Sequence, residues 1–248
     1  MTEEEWSACS DPLHLVNWIA GETSARRLRL FAIACCRRVL HLEADPGWRA
    51  AVETAERYAD ELCTAEELAT AIPPVNATLE ERIREINSVA SFVRRAIAVA
   101  CLDPGYMRAP CGAFSGREEK GSYWVMRGGD AAAEAIARAN ADLTGPRRLG
   151  FEEALERERH SQCNVFRDIV GNPFQPLVVV LEWLAWNDGT LRKIAQAIYE
   201  ERAFDRLPIL ADALEDAGCD NADLLAHCRS DGEHVRGCWV VDLLLGKS

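Results

Sequence analysis

The sequence predicts a mainly α-helical globular bundle, interrupted by an irregular Gly/Pro-rich central segment. Three observations point there. Apolar residues recur at helical spacing in several stretches, capping signals stand directly before those stretches, and glycine and proline crowd into one region, 104–129. With 248 residues, 48% of them apolar and 27% charged, the chain can bury a full-sized core without a covalent staple.

Taken in order, Asp11-Pro12 reads as an N-cap followed by proline at the first helical position, opening a short helix that stops at Gly21. The segment 24–42 is the most informative. Leu28, Phe31, Cys35, Val39 and Leu42 share one arc of a helix, while Arg26, Arg27, Arg29, Arg37 and Arg38 lie on the other among Leu30, Ile33 and Leu40. Such a helix has neighbours on both sides. Its arginine stems pack over apolar residues, and their heads reach acidic helices such as that of Glu53 and Glu56. Thr64-Ala65-Glu66-Glu67 and Thr78-Leu79-Glu80-Glu81 both match a capping box.

Eight breakers between Pro104 and Gly129 end that regularity, and Tyr123-Trp124-Val125-Met126 within them reads as irregular: a short strand or an aromatic-anchored loop. Helices resume over 131–143 and 148–170. Asn187-Asp188-Gly189-Thr190 then caps a helix carrying Leu191, Ile194 and Ile198, and Asp220-Asn221 caps another with Leu224 and Leu225. The predicted organisation is an N-terminal helical region, 1–103, a loop or linker, 104–129, and a C-terminal helical region, 130–248, packed with the first as one domain or standing apart from it.

Forty acidic against 28 basic residues give a net charge of −12, which disfavours non-specific attraction to nucleic acid or an anionic membrane. The start, Met1-Thr2-Glu3-Glu4-Glu5-Trp6, lacks the basic and apolar parts of a secretory signal, and the most apolar runs fall far short of a bilayer span. A cytoplasmic protein is expected. Ten cysteines in such a chain read as buried hydrophobes, ligands or reactive thiols rather than disulfides.

Most catalytic signatures are missing. Gly112-Ala113-Phe114-Ser115-Gly116 misplaces its serine for a nucleophile elbow, and the glycines at 116 and 121 lack the lysine of a phosphate loop. No catalytic residue and no organic cofactor is therefore assigned. One constellation rises above background: Cys219, His227, Cys228, His234 and Cys238, the donor types zinc prefers, with a loop at 229–233 that lets two ligand pairs fold toward one point. Its spacing matches no zinc module, so buried packing thiols compete with a structural zinc site. His160 and Cys163, one turn apart, form a second and weaker thiol/imidazole pair. Cys35-Cys36 reads as packing. So do Trp183, Trp186 and Trp239, although indoles also serve interaction surfaces.

Longer phrases carry a resemblance. Met1-Thr2-Glu3-x-Glu5-Trp6, Leu28-Arg29-Leu30-Phe31-Ala32 running into Cys35-Cys36-Arg37-Arg38, Gly171-Asn172-Pro173-Phe174, and His227-Cys228-Arg229 followed by His234-Val235-Arg236-Gly237-Cys238-Trp239 stand out. On these the chain resembles an uncharacterised bacterial protein family expanded in planctomycete-type genomes. The resemblance spans both ends, leaves about 70–150 uncovered, and implies no activity, so no residue inherits a role from it. The leading expectation is a non-enzymatic helical interaction or regulatory module whose partner is another protein, with Arg26, Arg29 and Arg37 as candidate contacts. A metal-dependent or thiol enzyme built on the Cys/His cluster is the alternative. Nucleic-acid binding through the Arg-rich helix comes third.

Overall fold

The computed structural model describes residues 1–19, 21–72, 89–100, 122–140 and 147–247. Every regular element among them is a helix, and none is long and apolar enough to cross a membrane. The chain divides into two compact units, Met1–Phe166 and Arg167–Ser248.

In the first unit, α1 (Glu3–Ala8) starts on a capping box. The Glu5 amide donates to Thr2 Oγ1 at 3.1 Å and the Thr2 amide to Glu5 Oε2 at 2.7 Å. Then come α2 (Pro12–Ile19), α3 (Ala25–Val39), α4 (Pro46–Ala59) and α5 (Ala65–Thr70), the last opened by the predicted box of Thr64 and Glu67. The second predicted box, at Thr78, lies outside the described residues. α6 (Val89–Ala100) and α7 (Ser122–Asn140) follow, and α8 (Arg147–Val170) carries the chain through the division between the units.

α3 is the central helix the sequence anticipates, packed against α4, α6 and α7. Leu28, Leu30, Phe31, Ile33, Cys35, Cys36 and Val39 are all buried, so the helix is apolar on every side. Four of its five arginines are engaged within the unit. Arg26 pairs with Asp60 at 3.2 Å. Buried Arg29 donates to the Ala100 carbonyl at 2.7 Å and lies over the Tyr58 ring. Arg37 forks onto buried Glu56, with Nη2 2.7 Å from Oε2, and Arg38 forks onto buried Glu158 at 2.8 and 2.7 Å. Arg26, Arg29 and Arg37, the candidate contacts for a partner, each have a partner within the unit.

Removing one partner of such a pair strands the other, and Glu158→Ala is expected to cost about 2–3 kcal/mol because Arg38 is only part-buried. Urea denaturation reads this. A loss below about 0.5 kcal/mol would mean that the pair behaves like an exposed one.

The central segment needs a correction. Residues 101–121 lie outside the described part, but 122–129 form the first turns of α7, so Tyr123-Trp124-Val125-Met126 is helical, neither strand nor loop. Glycine here serves close packing rather than a break. A Cβ on Gly129 would sit 3.2 Å from Gln162 Oε1, and buried Gln162 donates from Nε2 to the Gly129 carbonyl at 3.0 Å. A mid-helix glycine costs about 1 kcal/mol; the approach of α8 that it permits offsets this. The boundary between units, at 166/167, accordingly falls well beyond the Gly/Pro-rich stretch.

The second unit holds the end of α8, then α9 (Leu181–Ala185), α10 (Thr190–Glu201), α11 (Leu207–Asp216), α12 (Ala222–Cys228) and α13 (Trp239–Leu245). α10 packs on α11 and α13, and α11 on α12. Leu191, Ile198, Leu210, Leu214, Leu224, Val241 and Leu244 meet in one core that also takes in Trp183 and the partly buried Trp186 and Trp239. Both predicted starts are present, by different means. Asn221 Oδ1 accepts from the Leu224 amide at 2.9 Å, whereas α10 is entered through Asn187, Asp188 and Gly189, all at positive φ, with no side-chain cap.

Candidate metal centre

Four donor-type side chains converge in the second unit. Asp168 stands in the last turn of α8, His227 in the last turn of α12, His234 in the loop 229–238, and Cys238 directly before α13. One donor atom from each lies within 4.8 Å of all the others. His227 Nε2 is 3.2 Å from Asp168 Oδ1 and 3.3 Å from Cys238 Sγ, while His234 Nδ1 is 2.6 Å from the same Asp168 oxygen.

The loop that supplies two of them has no regular structure, yet it is tied down along its length. Arg229 reaches Glu215 and Asp212 of α11 at 2.6 and 2.8 Å. The Val235 amide donates to Asp168 Oδ2 at 2.9 Å, and Arg236 lies over the buried Tyr199 ring, 4.4 Å from its centroid. The imidazoles are held by rings. His227 meets His234 edge-on at 4.8 Å between centroids and lies 5.1 Å from Trp239. Trp239 in turn rests against Gly171, which closes α8 at φ +78° with its amide donating to the Arg167 carbonyl at 2.8 Å.

The electrostatics follow from this enclosure. Burial alone would raise the Asp168 pKa, but hydrogen bonds and charge from His227 and His234 outweigh it and hold the carboxyl below its ordinary value. Burial alone would lower that of His234, and its bond to Asp168 reverses the sign. For Cys238, burial, reinforced by the Asp168 charge, pushes the thiol well above its usual range, with the amides of Val241 and Val240 opposing.

These facts bear on a thiol enzyme. A Cys-His-Asp relay takes the proton at one imidazole nitrogen and anchors the ring through the other. Here Nε2 of His227 faces both Cys238 and Asp168, and the sulfur is fully buried. His160 and Cys163 fare no better, since His160 is exposed while Cys163 is sealed in the core.

Tetrahedral metal geometry fits more closely. With metal–N and metal–O near 2.0–2.1 Å and metal–S near 2.3 Å, neighbouring donors lie about 3.3–3.6 Å apart. The 3.3 Å His227–Cys238 separation lies at the edge of this range and the 3.2 Å His227–Asp168 one just below it, while the 2.6 Å His234–Asp168 contact would have to open toward it.

Of the five residues singled out by sequence, His227, His234 and Cys238 come together. Cys219 and Cys228 do not: both are buried in the helical core, and burial pushes the Cys228 thiol up to about 12. Cys35 and Cys36 are likewise packing thiols. Asp168 is the donor that sequence reasoning missed. It is remote in the chain from the His/Cys cluster, and one carboxylate among 40 acidic residues carries no local signal. No family model matches the chain, and no curated protein or solved structure is significantly similar to it.

Proposed function

We propose that this protein is a non-catalytic helical module that binds one divalent transition-metal ion through Asp168, His227, His234 and Cys238. The observation that carries the reading is the convergence of these four donor atoms within 4.8 Å from three separate parts of the chain. Four protein ligands fill a tetrahedron and leave no position for a substrate or an activated water, which favours a structural over a catalytic ion. The described cysteines are all free, consistent with a reducing, cytoplasmic setting.

Elemental analysis of untagged protein, loaded with a metal mixture and desalted, tests this. About one equivalent per chain is expected, falling to background in the double variant His227→Ala/His234→Ala. Wild-type protein that retains no metal would end the reading.

An interaction role, with another protein as partner, has separate support. Val178 and Leu181, at 81% and 75% exposure, stand on the surface of the second unit. It expects a stoichiometric partner that co-purifies with the wild type and is lost from Val178→Lys/Leu181→Lys at unchanged melting temperature. A partner kept in full by that variant would remove this support.

A further inference from the structure

Two atoms that point away from the other donors, Asp168 Oδ2 and His234 Nε2, are already engaged, and this bears on the way an ion is held. Asp168 Oδ2 accepts the Val235 amide at 2.9 Å, leaving Oδ1 as the one oxygen directed at the imidazoles. Ser230 works in the same manner on His234. Its hydroxyl donates to the His227 carbonyl at 2.9 Å, so the single hydroxyl proton is used. The Ser230 oxygen, 3.1 Å from His234 Nε2, can then only accept, which places a proton on Nε2 and makes Nδ1 the nitrogen that offers a lone pair. Without an ion, a proton between Nδ1 and Asp168 Oδ1, 2.6 Å apart, occupies that direction. A ligating histidine whose second nitrogen donates to a neighbouring group is the usual outer arrangement of a metal site.

The donor set narrows the metal. Calcium and magnesium take oxygen ligands at six or more positions and do not suit one thiolate and two imidazoles. Copper(I) favours more sulfur, whereas a closed, four-coordinate mixture of nitrogen, oxygen and sulfur suits zinc, which has no geometric preference of its own. Asp168 and Cys238 are buried and the two histidines half-buried, so the donors are largely screened from solvent.

Building on the metal-binding reading, we infer that the ion is zinc(II), bound through Asp168 Oδ1, His227 Nε2, His234 Nδ1 and Cys238 Sγ, with Ser230 as the positioning residue that fixes the His234 tautomer. Loading displaces the Cys238 thiol proton and the proton shared by His234 and Asp168 to solvent, with no change in oxidation state.

Cobalt(II) titration of metal-free protein, followed by zinc competition against a chromophoric chelator, tests this inference. The wild type should give the strong visible bands of tetrahedral cobalt with one thiolate charge-transfer band, all erased by zinc. Cys238→Ser should lose the charge-transfer band. Ser230→Ala, a change at an exposed hydroxyl, should keep the cobalt spectrum while zinc affinity drops about 10–100-fold. A weak six-coordinate cobalt spectrum, a charge-transfer band that survives in Cys238→Ser, or zinc affinity unchanged in Ser230→Ala would overturn the assignment while leaving metal binding intact. Failure of the wild type to bind cobalt or zinc at all would remove both.

Discussion

Asp168→Ala is expected to lower the unfolding free energy by about 3–5 kcal/mol even in metal-free protein, the range for stripping one partner from a buried charge pair. The carboxylate is 4% exposed and serves three partners at once: His227, His234 and the Val235 amide. Without it, both imidazoles lose the carboxylate they lie against, and an amide in the middle of the loop 229–238 loses its acceptor. Asp168→Asn separates the two contributions. It retains an acceptor for Val235 but carries no charge, so it should recover part of the loss while still failing to hold a metal. Urea denaturation monitored by tryptophan fluorescence measures both variants. A loss below about 1 kcal/mol for the alanine form would show that the carboxylate is not the hub of the centre.

Gly171→Ala should cost about 2–5 kcal/mol through two additive strains. The backbone there has φ +78°, where an L-residue pays about 1–2 kcal/mol that glycine does not. The new Cβ would also stand 3.1 Å from Trp239 Cγ and 3.3 Å from Cδ2, the flat face of a ring packed on the core. Overpacking of this kind costs about 1–3 kcal/mol. Because Trp239 lies against His227, displacement of the indole should also be felt at the centre as a shift of the His227 ring resonances. Gly246→Ala is the control. It too has positive φ, 68°, but a Cβ there meets nothing within 4 Å, so only the backbone cost applies. Equal losses for the two variants would show that the Trp239 contact contributes nothing.

Helix content was legible because its chemistry is local. The capping box at Thr64 and the cap at Asn221 are each decided within four residues, and each is present as a hydrogen bond. The character of α3 was legible for a related reason: apolar residues among arginines on the same arc require neighbours on both sides, and the carboxylate at Glu56 was within foreseeable reach. Glu158 was not. Nothing near Arg38 in the sequence announces a partner on a helix so far along the chain. The glycine at 129 misled for the same reason, since its use as a point of close approach depends on Gln162.

The candidate site divides along that line. His227, His234 and Cys238 are near enough in sequence for their chemical type to stand out, and the thiols that do not join them, Cys219 and Cys228, could not be told apart by type alone. Only the direction each takes from its helix decides. Asp168, brought in by α8, belongs to the class of long-range contact that residue identity does not encode.

The forked arginines of α3 have one more consequence. Greasy surfaces are tolerant of sliding: a helix apolar all round could shift along its axis by a turn and still find methyl groups to touch. A guanidinium fork aimed at one carboxylate has no such latitude. Arg37 on Glu56 and Arg38 on Glu158 therefore act as a vernier for the central helix, setting its axial position. Replacing the second pair by Arg38→Met/Glu158→Leu should leave the melting temperature nearly unchanged while multiplying amide resonances from the surrounding helices. A single sharp set would show that side-chain packing alone locates the helix.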